Sequence, residues 1–277
     1  MSSYEDSDAK SLIKRFGKNV APRLYSRCRL FYYRRLTHYG RLTERVGRSC
    51  AFRVSSGPFE GLRYFSSGRI PLVDLHPTPK LLGSFEQELH PWLEQLVQED
   101  FPLVINIGSA EGYYAVGLAL RIPTTYVIAF DPLPEASEAC ARLSRLNGVS
   151  GRVTVEGECR QSVLRSIDLR GALIICDCEG CEVRLLNLQK IPALATCTLI
   201  VELHDALLPG SKESLLARFR DSHTVLFAQS THRDPAEYTQ LRNLTPDEAT
   251  IALDEDRVLN GEHVSQEWVL MTPRIVD

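Results

Sequence analysis

From residue 101 onward, short apolar runs alternate with amphipathic stretches, and this alternation constrains the fold more than any other feature. Predicted strands lie at 102–107, 125–130, 152–156, 172–176, 198–203, 224–229 and 267–271. Predicted helices lie at 112–121, 134–147, 182–189 and 212–220. Repeated strand–helix units make neighbouring strands parallel and cover a sheet with helices. The sequence therefore predicts an α/β fold with a mostly parallel sheet and helices on both faces.

The first 80 residues lack this alternation, and we predict them to form an N-terminal extension of an α/β domain over 81–277. Within the extension we predict, in order, a helix over 11–42, a β-hairpin over 51–65 and a loop over 66–80. At the start of the domain, Ser84 and Gln87 have the spacing of a capping box. They predict a helix over 84–97.

Charge is unevenly distributed between the extension and the domain. Residues 1–70 hold 15 Lys and Arg against 5 Asp and Glu, or +10, which leaves −13 for the rest of a chain with net charge −3. A basic arm of this kind suits a peripheral membrane contact or another anionic partner. We favour the alternative that the arm packs on the acidic body, and we expect no nucleic-acid partner.

The eight cysteines and the polar N-terminus point to a reducing compartment. No apolar run approaches the ~20 residues that cross a bilayer, and 1–10 is polar and acidic, so we expect a cytoplasmic protein. The cysteines show no disulfide framework and are expected to be reduced thiols. Cys176, Cys178 and Cys181 leave zinc open as a less favoured alternative, because a fourth ligand and a second paired motif are missing.

The end of the first strand has two glycines in the turn before the next helix. Gly108 and Gly112 are four residues apart, whereas the dinucleotide fingerprint is G-x-G-x-x-G. Glycine allows a tight turn and lets a ligand approach the backbone, and the start of the helix offers free N–H groups. This wider turn suits a ligand without a diphosphate. A purely structural role for both glycines remains the alternative.

The ends of three further strands are polar. Asp131 ends the second strand, 19 residues beyond Gly112, where an acid can accept hydrogen bonds from ribose hydroxyls. The alternative is that Asp131 caps the following helix. Asp177 ends the fourth strand, and Glu202 and His204 end the fifth, so parallel pairing would bring them together. Acids beside an imidazole suit proton abstraction or metal binding.

These motifs together resemble FkbM-type methyltransferases, a class I group that depends on S-adenosylmethionine. The segments that carry the resemblance are Asn-x-Gly-x-x-x-Gly-Tyr-Tyr at 106–114, Phe-Asp-Pro at 130–132, Asp-Cys-Glu-Gly-x-Glu at 177–182 and Val-Glu-x-His at 201–204, with 56–64 and 80–89 upstream. The chain departs from the group at Asn106, where many members have an acid, and at Glu111, where Asn is commoner. The third strand also ends without a clear adenine-binding Asp.

The resemblance implies a Rossmann-like fold with a seven-stranded sheet, S-adenosylmethionine as cofactor and O-methylation of a sugar, glycan or natural-product hydroxyl. The cofactor contacts it implies, joined to those expected from the strand ends, are Glu86, Asn106, Gly108, Ser109, Ala110, Glu111, Gly112, Tyr113, Asp131, Pro132, Glu158, Cys159 and Asp177. A nicotinamide-dependent oxidoreductase and a non-catalytic protein with this fold are the alternatives.

For catalysis we expect His204 to act as a metal-free general base, since a neutral imidazole accepts protons near pH 7. Asp177 and Glu202 would orient it or position the acceptor. A divalent cation held by Asp177, Glu202 and His204 is the less favoured alternative.

Overall fold

The computed structural model describes residues 38–66, 69–71, 73–74, 76–255, 258–259, 262–263 and 266–274. The helices are α1 (His38–Ser49), α2 (Pro77–Leu82), α3 (His90–Leu96), α4 (Tyr113–Arg121), α5 (Pro134–Leu146), α6 (Gln161–Ser166), α7 (Glu182–Leu185), α8 (Ser211–Phe219) and α9 (Pro246–Ala252). The strands are β1 (Leu103–Ile107), β2 (Tyr126–Phe130), β3 (Val153–Glu156), β4 (Leu173–Cys176), β5 (Thr198–Leu203), β6 (His223–Gln229), β7 (Val258–Leu259), β8 (Glu262–His263) and β9 (Glu267–Pro273). Short 3-10 turns lie at Gln87–Leu89, Pro192–Thr196, Pro235–Glu237 and Thr239–Leu241.

Seven strands form one sheet in the order β3-β2-β1-β4-β5-β9-β6. The first five strands in this order, β3, β2, β1, β4 and β5, pair in parallel with their neighbours. β9 lies between β5 and β6 and runs antiparallel to both. The order reverses at β1, and in such sheets ligands bind at the carboxyl ends of the strands beside that reversal. The predicted α/β class, a Rossmann-like fold with a mostly parallel seven-stranded sheet, is confirmed.

The sheet separates two hydrophobic cores. Along β1, Val104 faces one core and Ile105 the other, as the two-residue period of a strand requires. The first core packs against α4 and α5, and the second packs against α6, α7 and α8. Both faces are therefore covered by helices, which is why the central strands are apolar at nearly every position.

The described part of the N-terminal extension belongs to the first core. Leu42 and Val46 on α1 are buried there together with Phe59 and with Leu118 of α4. Arg45 pairs with a carboxylate of α9, Glu248, at 2.6 Å. The extension therefore packs on the body from residue 40 onward. Residues 1–37, which hold most of the predicted basic arm, lie outside the described part of the chain, and the boundary at residue 80 stays a prediction.

Most predicted elements are confirmed, and the segment before β1 is the main correction. The predicted helix over 84–97 is replaced by α2, the 3-10 turn and α3. Pro77 starts α2, as proline at a first helical position favours, and Gly83 ends it at φ 77°. Ser84 caps no helix, because its hydroxyl donates to the Pro79 carbonyl at 3.4 Å. The predicted loop over 66–80 was therefore wrong at its C-terminal end.

Smaller differences lie elsewhere. The hairpin predicted over 51–65 is present as an antiparallel bridge between Arg53 and Arg63, whereas the helix predicted over 182–189 ends at Leu185. The sequence analysis missed the helices α6 and α9 and the hairpin of β7 and β8. Among the described residues, no helix has the length and apolar character that a membrane-spanning segment requires.

Candidate functional site

A cavity of about 540 Å³ lies at the carboxyl ends of the parallel strands. Side chains and backbone that follow β1, β2, β3, β4 and β5 line it, together with the segment before α3 and residues from the chain between β6 and β9. Of the predicted site residues, the lining includes Glu86, Gly108, Ala110, Asp131, Pro132, Glu158, Cys159, Asp177 and Glu202. Nine of the fifteen predicted site residues therefore line one cavity, whereas His204 is not among the lining residues.

Gly108 is required by close packing between two turns. Its φ is +80°, and a Cβ there would lie 1.6 Å from the backbone oxygen of Asp177. The N–H groups of Gly108 and Ser109 both donate to the Phe130 carbonyl at 2.9 Å, so the turns after β1 and β2 are also joined. Gly108 thus brings three strand ends together around the cavity.

Gly112 has a different reason to be glycine. It precedes α4 at φ +95°, and a Cβ there would lie 2.6 Å from the Cys140 sulfur on α5. Gly112 does not line the cavity. The structural interpretation therefore accounts for Gly112, which allows α4 and α5 to approach closely, and the predicted cofactor contact gains no support.

Asp131 is held by backbone groups and faces the cavity. One carboxylate oxygen accepts from the Ala110 N–H and the other from the Leu133 N–H, both at 2.9 Å. Burial raises the pKa of Asp131, and these two hydrogen bonds oppose the rise. Each carboxylate oxygen has a second acceptor position. Asp131 can therefore support the turn that follows β2 and still accept hydrogen bonds from a ligand.

Glu111 is a correction, because its side chain does not line the cavity. It is fully buried and pairs with Lys80 at 2.7 Å, and it accepts from the Tyr64 hydroxyl at 3.0 Å. Asp74 pairs with the same lysine at 3.1 Å. Burial lowers the pKa of Lys80, but the two carboxylates outweigh that effect and raise it. This network ties the segment before α2 to the turn after β1.

Three other predicted cofactor contacts also lie behind the cavity wall. Asn106, Ser109 and Tyr113 are buried and do not line the cavity. The ring of Tyr113 packs edge-on against Phe85, with 5.8 Å between ring centroids. Phe85 does line the cavity, so Tyr113 supports a lining residue without lining the cavity itself.

Glu86 is brought over the cavity as the resemblance implied. It has φ +47° and is 4% exposed, and its carboxylate accepts from the Tyr114 hydroxyl. A second buried cluster holds this segment in place, because Arg233 pairs with Glu88 at 2.7 Å and with Glu255 at 3.1 Å. Arg233 and Glu255 were not predicted from the sequence, because no motif near either residue points to this role.

The predicted catalytic trio is brought together around His204. Its Nε2 lies 3.6 Å from carboxylate oxygens of both Asp177 and Glu202. Glu179 is at the same distance, while Glu182 contacts Nδ1 at 2.8 Å. Glu182 was not among the candidate site residues expected from the sequence.

The carboxylates set the protonation of this cluster. Burial lowers the pKa of His204, but the hydrogen bond with Glu182 and the charge of Asp177 outweigh it and raise the pKa. Burial and the charge of Asp177 raise the pKa of Glu202 to about 12. Glu202 therefore holds a proton at neutral pH and is no general base. Because the imidazolium form of His204 is stabilised, a smaller fraction of His204 is in the neutral, proton-accepting form at neutral pH than a free imidazole would have.

Asp177, Glu179 and His204 have ligand atoms within 4.8 Å of one another, so these three could hold a metal ion. This set differs from the predicted alternative, in which Glu202 was the third ligand.

The expectation of reduced thiols is wrong at one pair. Cys178 and Cys181 form a disulfide across the turn between β4 and α7. Among the described residues the remaining cysteines are free, namely Cys50, Cys140, Cys159, Cys176 and Cys197. The disulfide occupies two of the three sulfurs that the zinc alternative needed.

No protein-family model matches this chain, and no curated protein matches it. Solved structures similar to it include a proposed O-methyltransferase from Klebsiella pneumoniae (13% identity, 85% of this chain and 89% of that one, TM-score 0.47). A second is the O-methyltransferase TomG from Streptomyces achromogenes (13%, 73% and 83%, 0.43). A third is a precorrin 8W decarboxylase from Methanobacterium thermoautotrophicum (18%, 67% and 89%, 0.45). The activities in these names belong to those proteins.

Proposed function

We propose that this chain is an S-adenosylmethionine-dependent methyltransferase that methylates a hydroxyl oxygen of a sugar, glycan or natural product, as the FkbM resemblance implied. The observation that carries the proposal is the charge of the cavity at the carboxyl ends of the strands. Seven acidic side chains line it, namely Glu86, Asp131, Glu158, Asp177, Glu179, Glu202 and Glu255. The basic side chains in the lining, apart from His76, are Lys80 and Arg184.

This charge balance fits S-adenosylmethionine. The cofactor carries a sulfonium and an ammonium against one carboxylate, so its net charge is positive. The ammonium of Lys80 is already countered by two buried carboxylates, and Glu202 is neutral at neutral pH. Glu158 and Glu255 are paired with Arg160 and Arg233. The remaining carboxylates still leave the cavity an excess of negative charge, which favours a cationic ligand. Asp131 suits the ribose hydroxyls, because its carboxylate faces the cavity and has free acceptor positions.

The same charge balance disfavours the nicotinamide alternative. A dinucleotide brings a diphosphate with two negative charges, which requires free N–H groups and basic side chains. Here the N–H groups of Gly108 and Ser109 are bonded to the Phe130 carbonyl, and carboxylates dominate the lining. We therefore expect nicotinamide dinucleotides to bind far more weakly than S-adenosylmethionine.

S-adenosylmethionine supplies a methyl group on a sulfonium centre, which is activated for in-line displacement by an acceptor oxygen. The protein has to align that oxygen and remove its proton, and alignment can supply several kcal/mol, up to about 7–11 in ideal cases. We assign proton removal to neutral His204, held at Nδ1 by Glu182. Protonated Glu202 and Asp177 would position the acceptor hydroxyl beside its Nε2.

Calorimetric titration with S-adenosylmethionine, S-adenosylhomocysteine and NAD tests the proposal. We expect saturable binding of the first two and none of NAD at the same concentrations. Incubation with candidate hydroxyl acceptors should then convert S-adenosylmethionine to S-adenosylhomocysteine. Tight NAD binding with no S-adenosylmethionine binding would overturn the assignment. Cofactor binding without turnover over a broad set of acceptors would favour the non-catalytic alternative.

A further inference from the structure

The disulfide between Cys178 and Cys181 lies in the wall of the cavity itself. Both cysteines line the cavity and are partly exposed, and their Cα atoms are 5.4 Å apart. Their C-x-x-C spacing is one in which the thiolate is stabilised and the pair is often redox-active. A small thiol that enters the cavity can therefore reach this bond.

The turn that the disulfide closes also positions His204. Glu182, next to Cys181, accepts from the N–H groups of Cys178 and Gly180 at 3.1 and 3.2 Å. The same carboxylate oxygen contacts His204 Nδ1 at 2.8 Å. Glu179, inside the disulfide loop, has φ +55° and lies 3.6 Å from His204 Nε2. A change in this loop is therefore transmitted directly to the imidazole.

The short loop argues against a purely stabilising role. The contribution of a disulfide to stability grows with the number of residues it encloses, and here only Glu179 and Gly180 lie between the sulfurs. The third nearby thiol does not compete for the bond. Cys176 lies 3.7 Å from the Cys178 sulfur but is fully buried, and burial raises its pKa well above the ordinary value. It stays a protonated thiol, so exchange is confined to Cys178 and Cys181.

We propose that Cys178 and Cys181 are a reversible redox site whose oxidised form holds the residues around His204 in the active arrangement. A dithiol reductant opens it by thiol–disulfide exchange. One reductant thiolate attacks a sulfur, the S–S bond breaks, and the other protein sulfur leaves as a thiolate and takes a proton. The second reductant thiol then releases the mixed disulfide. Two electrons and two protons pass to the protein, and the reductant becomes a disulfide.

The existence of the site is tested on the full native chain with dithiothreitol as probe. After mild treatment, alkylation and peptide mapping should find both Cys178 and Cys181 modified, and neither in untreated protein. Hydrogen exchange at the amides of 177–185 should become faster on reduction, because the turn that carries the Glu182 contacts is released. Full alkylation without dithiothreitol, or resistance to it in the folded protein, would overturn the redox site. So would unchanged exchange.

The claim that the disulfide regulates activity rests on the proposed function, and it is tested by measuring methyl transfer. We expect reduction to lower turnover by about tenfold or more, since misplacing reacting groups by about 1 Å can cost as much as 10²-fold. Cys178→Ser and Cys181→Ser should show the low rate with or without dithiothreitol. Cys50→Ser, at a partly exposed thiol outside the cavity lining, should keep the response. Equal rates in oxidised and reduced protein would refute regulation. A chain without methyl transfer that still shows the alkylation and exchange changes would refute the proposed function alone.

Discussion

The carboxylates at the two sides of the cavity have different hydrogen-bond and charge partners. At the ends of β1 and β2, one carboxylate, that of Asp131, is held by two backbone N–H groups. At the ends of β4 and β5, four carboxylates surround the single imidazole of His204. Backbone donors do not titrate, whereas facing side chains share protons. The first side therefore suits steady binding, and the second suits chemistry that responds to pH.

The largest loss of activity should come from a change at His204, within its cluster of carboxylates. We expect His204→Ala to lose about 10²–10⁴-fold in turnover, the range of general-base catalysis. Its affinity for S-adenosylmethionine should stay close to that of the wild type, because His204 is not among the assigned cofactor contacts. Steady-state kinetics and calorimetry measure the two. The control is His232→Ala, at an exposed histidine. Full activity of His204→Ala would show that the histidine is only structural.

The second prediction concerns Gly108, where the turn after β1 packs against the turn after β4. Gly108→Ala should lower the free energy of unfolding by about 2–5 kcal/mol, which combines about 1–2 for left-handed backbone with about 1–3 for overpacking. Gly61→Ala is the matched control, because its φ is +83° and a Cβ there meets nothing within 4 Å. It should lose only the backbone part. Urea unfolding of both variants measures the difference, and equal losses would contradict the packing role.

The third prediction tests the side of the cavity where backbone N–H groups hold the carboxylate of Asp131. Asp131→Ala should weaken S-adenosylmethionine binding by about 1.5–3 kcal/mol, as expected for lost hydrogen bonds to a charged group. S-adenosylhomocysteine should weaken equally, because both carry the ribose. Calorimetry measures both ligands, and Asp168→Ala, at an exposed carboxylate paired with Arg170, is the control. Loss of only one ligand would contradict the ribose assignment.

The smallest expected effect is a shift of pH dependence. Activity should rise with pH as His204 loses its proton, and because its pKa is raised, the midpoint should lie above the ordinary histidine value of about 6.5. Glu182→Gln keeps an acceptor oxygen but removes a charge that raises this pKa, so the midpoint should move to lower pH. Asp177 and Glu179 still face the ring and keep part of the rise in pKa, while protonated Glu202 adds no charge.

Profiles of kcat/KM against pH check this shift, with Glu213→Gln on the exposed face of α8 as the control. A midpoint that stays in place, or moves upward, would show that Glu182 does not set the protonation of His204.

Much of the sheet could be predicted because its signals are local. Apolar runs of four to six residues mark β1 to β5, and each lies beside a helix with its own apolar face. The segment before α3 could not be predicted this way. Its path depends on Arg233, which lies 149 residues beyond Ser84 in the sequence and donates to the Ser84 carbonyl at 3.3 Å. No local pattern reports such a contact.

The residues of the candidate site likewise include some that local sequence signals predict and some that only packing decides. Strand ends placed Asp131, Asp177 and Glu202 on one cavity, since parallel strands present their carboxyl ends at one edge. Proximity in the sequence was misleading for Glu111 and Gly112, which share the turn with Gly108 but face the interior. A turn of a few residues points successive side chains in different directions, and only packing decides which of them meets the cavity.

The sequence by itself determined where the strands run and which polar residues end them, because side-chain period and turn chemistry are properties of neighbouring residues. Only the tertiary structure decided what each of those residues does. Glu202 keeps a proton because it is buried beside Asp177. His204 favours its imidazolium form because Glu182 of α7 and Asp177 after β4 lie within 4 Å of its ring. The Cys178–Cys181 bond likewise depends on a Cα separation of 5.4 Å. Protonation and redox state follow distance and burial, which arise only when separate elements pack together.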